Sequence, residues 1–131
     1  LLFINNAASS AATVGKIQTE GSLTRYLESS DYRLKEDIVD MQDSISRVQA
    51  LKPVNFAWKL DGTRVDGFLA HEAQEIVPAA VSGTKDAVDE DGQPDYQGID
   101  QSKLVPLLTK ALQEALTKIE SLEARVSALE S

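Results

Sequence analysis

The sequence predicts an α+β fold: a small mixed domain with a β-hairpin and short helices, followed by a long C-terminal coiled-coil helix. Residues 54–70 alternate apolar and polar positions around Asp61-Gly62, the pattern of two strands joined by a tight turn. Ile38, Met41, Ile45 and Val48 recur instead at spacings of three and four, which puts them on one face of a helix. From about residue 102 onward the apolar positions fall on a heptad.

Taken in chain order, residues 5–13 are small and polar and read as a loop or linker. Val14 to Leu27 carries short apolar positions broken by Gly15 and Gly21, which is strand and turn material. A helix is expected from Glu36, opened by Glu36, Asp37 and Asp40 at the end where acidic groups suit the helix dipole. Lys52-Pro53 stops it, because a residue before proline avoids helical angles. Val54, Phe56, Trp58 and Leu60 predict a strand with one buried face, and Val65 to Ala70 its return. His71 to Val77 predicts a short helix ended by Pro78. Val81 to Val88 reads as a strand, and Asp89 to Pro94 as an acidic turn.

The last third is the clearest. Val105, Leu112, Ile119 and Val126 lie seven apart, as do Leu108, Ala115, Leu122 and Leu129, making an a/d seam. In a parallel arrangement Lys118 faces Glu123 of a neighbour, and Arg125 faces Glu130. That favours parallel self-association over a lone docking helix. The seam does not fix the strand number: valine and isoleucine at a lean towards dimers, and Leu112 with Ala115 blur the lean. Pro106 fits if the helix starts near Ser102, or kinks there.

Composition narrows the function classes. The chain has 131 residues, enough for one modest domain, and only 5% aromatics, so its core leans on aliphatic packing and on other chains. With 42% hydrophobic and 26% charged residues it reads as a folded soluble protein. No apolar run is long enough to span a membrane. The apolar Leu1–Ile4 lacks the basic flank of a signal peptide. Without cysteine there are no disulfides or thiolate metal sites, which fits a cytosolic origin. The net charge is -8, and residues 1–29 are balanced, so the whole excess lies in 30–131. Such a surface repels phosphate backbones, and nucleic-acid binding is not expected.

The chemistry-bearing stretch is Ser29-Ser30-Asp31-Tyr32-Arg33-Leu34-Lys35. The string Ser30, Asp31, Arg33, Lys35, Glu36 resembles the C-terminal intramolecular chaperone domain of phage tail spikes, endosialidases and tail fibres, a self-cleaving serine-lysine peptidase. The same module occurs in a membrane-tethered eukaryotic transcription factor family. Two further stretches resemble it: Gly67 to Glu75 followed by Val77-Pro78, and Ile99-Asp100 with Leu104 to Leu108. The likeness spans about residues 14–131.

The resemblance implies an intertwined homotrimer that folds the fibre or spike preceding it in the same polypeptide. It then cuts itself once, between Ser29 and Ser30. Ser30 is the implied nucleophile and Lys35 its general base. Asp31, Arg33 and His71 are candidates for a processing role. Residues 1–29 become the end of the mature fibre, a trimeric β-structure. Residues 30–131 become the released chaperone, with its coiled coil over about 102–131. Assembly is expected in the host cytoplasm, with the fibre part kept in the virion tail. No cofactor or metal is implied, and no nucleic-acid or membrane partner.

The chemistry sets a condition. A lysine in water has a pKa of about 10.4, so at pH 7 only about one in 2,500 is neutral and able to accept a serine proton. Making it mostly neutral takes on the order of 4–5 kcal/mol of environment. Burial can supply that and a disordered chain cannot, so the nucleophile is active only once its surroundings have formed.

Plainer readings stand beside these. Ser30 can N-cap the following helix, assisted by Asp31 and Glu36. Lys35 can be a solvated surface lysine, Arg33 an ion-pair partner of an acid, and His71, the single histidine, a structural residue. His71-Glu72-Ala73-Gln74-Glu75 lacks the second histidine of a zinc-protease helix. Asp89, Asp91 and Asp95 hint at a calcium loop but lack its closing glutamate, and a solvated turn is the simpler reading. A purely structural, non-cleaving trimerisation module is the alternative function; it needs neither Ser30 nor Lys35. A host-receptor adhesin would describe the parent protein, but no binding motif here supports it.

Overall fold

A computed structural model describes residues 1–5 and 12–131. The chain forms two compact units, Leu1–Asp40 and Met41–Ser131.

The first unit holds a three-stranded antiparallel sheet, β1 (Leu2–Asn5), β2 (Ala12–Glu20) and β3 (Leu23–Glu28), in that order. The loop predicted over 5–13 is therefore narrower: Asn5 ends β1, while Ala12 and Thr13 open β2. Its middle, 6–11, lies outside the described residues. β2 and β3 pair from Glu20↔Leu23 to Gly15↔Glu28. Gly21 makes the turn at a φ of 58°, which glycine reaches without a Cβ clash. Every residue of β3 is exposed.

Beyond β3 lies one 3₁₀ turn, Tyr32–Leu34, and the helix predicted from Glu36 does not form until Ser44. Asp37 and Asp43 adopt left-handed φ values of 51° and 58°, which a right-handed helix cannot contain. Ile38 and Val39 consequently stay in solvent, each 79% exposed. Only the later part of the predicted stripe becomes helical.

The second unit begins with α1 (Ser44–Ala50). Leu51 is already extended, just ahead of Pro53. β4 (Val54–Ala57) and β5 (Arg64–Gly67) form the predicted hairpin in the register Phe56↔Val65. It is shorter than the alternation suggests. Trp58 and Leu60 fall in the connecting loop, closed by Gly62 N–H donating to the Trp58 carbonyl, and Leu60 is exposed rather than core-facing. At Gly67 a Cβ would stand 3.0 Å from the Phe56 ring, so the close approach needs glycine.

α2 (Ala70–Ile76) matches the predicted helix before Pro78 to within a residue. After a 3₁₀ turn, Pro78–Ala80, come β6 (Val81–Ser82) and its partner β7 (Gly98–Ile99). The strand predicted over 81–88 stops at Ser82, because Gly83 and Asp86 turn the chain through φ values of 81° and 61°. In the acidic turn the Asp89 carboxylate accepts the backbone N–H groups of Asp91 and Gln93, both at 2.9 Å.

α3 (Val105–Glu130) follows a 3₁₀ turn, Gln101–Leu104, that is capped by the Asp100 side chain. Pro106 sits in the first turn of α3, where its missing N–H leaves no helical bond unmade. The core of this unit is Val77, Ala80, Leu104 and Leu107, packed by Met41, Val48, Leu51, Phe68, Ile76 and Val81. α1 lies against α3, and the wholly buried Ser44 donates its hydroxyl to Glu114 at 2.7 Å. The Arg47 guanidinium donates to the Ile76 carbonyl at 3.1 Å, satisfying an orphan acceptor at the end of α2.

Candidate functional site

The site begins where β3 ends. Ser29 continues the ladder by one residue, its N–H donating to the Val14 carbonyl at 2.9 Å. Its hydroxyl donates to the neighbouring Thr13 carbonyl at 3.1 Å. Next comes Ser30, and then Asp31, whose extended backbone and side chain cap the 3₁₀ turn. The cap is thus Asp31 and not Ser30. One Asp31 oxygen accepts the Arg33 backbone N–H at 2.9 Å, and the carboxylate also takes a two-pronged grip from the Arg33 guanidinium, both contacts at 2.9 Å. Hydrogen bonds from Arg33 hold the Asp31 carboxyl below its usual range, and Asp31 in turn raises Arg33. Arg33 is accordingly an ion-pair partner, within the motif itself.

The turn is closed by Leu34 N–H to the Asp31 carbonyl and Lys35 N–H to the Tyr32 carbonyl, at 3.0 and 3.1 Å. One such turn folds the chain back, so a lysine five positions after a serine can reach it. The Lys35 Nζ lies 2.6 Å from Ser30 Oγ and donates to it. The base form of the amine would accept the hydroxyl proton along the same line. Both residues are exposed in the single chain. Ser29, Ser30, Asp31, Arg33 and Lys35 thus share one short stretch of the first unit, whereas His71 belongs to the second.

His71 occupies the first turn of α2, half-buried, in an open cleft with Lys85, Asp86, Asp95, Tyr96 and Gln97. The Asp86 carboxyl is held below its usual range, chiefly by the hydrogen bond and charge of Lys85 at 2.8 Å and secondarily by His71. Among the described residues no group of three or more acidic, histidine or cysteine side chains is placed to hold a metal ion.

The heptad positions lie on the outward side of α3. Leu104, Leu107 and Ala111 turn into the core, while Val105, Leu108, Leu112, Ile119, Leu122, Val126 and Leu129 remain between 47% and 87% exposed. Ala115 is half-buried. Ile45 and Val48 of α1 line a shallow groove with Leu108, Ala111, Leu112 and Ala115, so α1 flanks the upper seam. From Leu116 to the end of α3 every residue is exposed. Sequence reading missed the Ser29 anchor, the Asp31 cap and the Ser44–Glu114 bond. Only the cap has a local signal, an accepting aspartate two residues ahead of the backbone N–H that donates to it.

A family model described as chaperone of endosialidase, of the peptidase class, matches residues 30–82. The match opens on Ser30 and takes in Lys35, the β4–β5 hairpin, α2 with His71, and β6. Residues 30–82 thus match the chaperone family that the sequence resembles.

Proposed function

We propose that this chain assembles a fibrous trimer and then severs itself between Ser29 and Ser30. The observation that carries the reading is the 2.6 Å contact between Lys35 Nζ and Ser30 Oγ, at the residue where the family match begins. Ser30 Oγ attacks the carbonyl carbon of Ser29 while Lys35 takes its proton. The ring formed is five-membered, since nucleophile and leaving nitrogen belong to one residue. Breaking the C–N bond passes a proton to that nitrogen and leaves the Ser29 acyl group as an ester on Ser30. Water then hydrolyses the ester, giving a Ser29 carboxylate, a restored Ser30 hydroxyl and a new amino terminus.

Assembly is supported by what the single chain leaves uncovered. The outer half of α3 has an apolar seam that stays exposed among the described residues, and a lone helix of this kind is marginal in water. Three parallel copies would bury the seam and match Lys118 with Glu123 and Arg125 with Glu130. β3 is exposed on both faces, as a strand awaiting neighbouring chains would be. On this reading the boundary between fibre and chaperone is the Ser29–Ser30 bond, with residues 1–29 retained in the fibre. His71, with the Asp86 cleft around it, is assigned a supporting part in processing. The test is Ser30→Ala: the variant should stay full-length and keep the wild-type oligomeric mass. A denaturing gel showing it cut as fast as wild type would sink the self-protease reading.

A further inference from the structure

The residue before the scissile bond is held more firmly than a linker needs. Ser29 spends both its donors on β2: its N–H on the Val14 carbonyl at 2.9 Å and its hydroxyl on the Thr13 carbonyl at 3.1 Å. On the other side of the bond, Ser30 is tied to Lys35 at 2.6 Å and followed at once by the Asp31-capped turn. The Ser29–Ser30 peptide is therefore the first one past the β2–β3 ladder. It is suspended between a pinned strand end and a closed turn.

Resting on the proposed self-cleavage, we infer that Ser29 is a positioning residue, and that its hydroxyl, bonded to Thr13, fixes the carbonyl that Ser30 attacks. Attack needs the acyl carbon and the hydroxyl oxygen in a defined approach, and a freely rotating strand end samples that approach rarely. Locking Ser29 to β2 removes that freedom on the acyl side, as the Lys35 contact does on the nucleophile side. A consequence concerns order. Both acceptors lie on β2, so the lock exists only after β2 and β3 have paired in the register Gly15↔Glu28. The cut then waits for the fibre-side hairpin as well as for the turn that bears Lys35.

Three variants of the full chain separate this from a general effect on folding: Ser29→Ala, Ser29→Thr and Ser29→Val. Threonine keeps the hydroxyl, and valine has its shape without it. Cleavage followed by intact mass should run at nearly the wild-type rate in Ser29→Thr. It should be roughly three- to tenfold slower in both Ser29→Ala and Ser29→Val, the range of one neutral hydrogen bond. Oligomeric mass and melting temperature should match across all three, since Ser29 is exposed. Equal rates for Ser29→Val and Ser29→Thr, with the wild type cutting normally, overturn the positioning role alone. A wild-type chain that never cuts overturns the self-cleavage reading and this inference with it.

Discussion

The double substitution Leu112→Asp with Ile119→Asp tests whether assembly gates the chemistry. Both side chains are largely exposed, 61% and 50%, with Leu112 at the rim of the groove beside α1, while the buried residues of that helix are Leu107 and Ala111. The single chain should therefore tolerate the change, since surface substitutions of this kind usually stay within about 0.5 kcal/mol. The assembly should not. Burying a leucine or isoleucine fully contributes about 1.5–3 kcal/mol, and roughly half of that is still to be gained at each position. In its place each carboxylate would have to leave water unpaired, at a cost of several kcal/mol, or roughly that order once relaxed. Two such positions in each of three chains sum to well above the ~8 kcal/mol that separates micromolar association from none at the 1 M reference. Light scattering beside a cleavage time course reads both consequences. The expected result is a folded monomer, with unchanged Ser30 and Lys35, that is cut far more slowly than wild type or not at all. A clearly monomeric variant cleaving at the wild-type rate would refute the gating.

Lys35→Arg keeps the charge and removes a readily released proton, so cleavage should be abolished with the oligomeric mass retained; normal processing on a denaturing gel would remove Lys35 from the mechanism. His71→Ala should slow processing by on the order of tenfold, about 1.4 kcal/mol in barrier, by loosening the cleft it shares with Asp86. Unchanged cleavage and unchanged mass would leave His71 a structural residue.

What the sequence made legible is what local pattern encodes. Asp61-Gly62 between alternating runs located the hairpin, and Pro78 marked the end of α2. The seven-residue spacing located α3, because the period there is long enough to exceed chance. Pattern failed where backbone handedness intervened. Ile38 fits the stripe of Met41, Ile45 and Val48, but Asp37 and Asp43 turn left-handed, and a polarity pattern carries no sign of φ. The strand expected from Val81 failed at Gly83 and Asp86 for the same reason. At the candidate site, Ser30 and Lys35 were singled out by the resemblance and not by their spacing alone, and one 3₁₀ turn brings them together. The Ser29 anchor was not readable, since it depends on the register of β2 against β3. Nor was the bond from Ser44 to Glu114, which joins residues distant in the chain.

The exposure of the Ser30–Lys35 pair has a logic if the cut is meant to happen once. A pair already enclosed within one chain would act as soon as that chain folded, before any partner arrived, and α3 would be detached from the strands that, on the proposed reading, it aligns. An exposed pair with its contact already made avoids this. The turn capped by Asp31 fixes the geometry in advance, so only the surroundings are missing, and on the proposed reading neighbouring chains provide them. Association of three copies depends steeply on concentration, and the seam of α3 is the part suited to raising it by holding chains in register. On the proposed reading the order of events follows from where each requirement resides: the seam first, the β2–β3 pairing that locks Ser29 next, and closure around Lys35 last. Hydrolysis makes the final step irreversible. On the proposed reading a fibre whose strands are already intertwined would keep its topology after the cut, whereas residues 30–131 would be held to it only by non-covalent contacts.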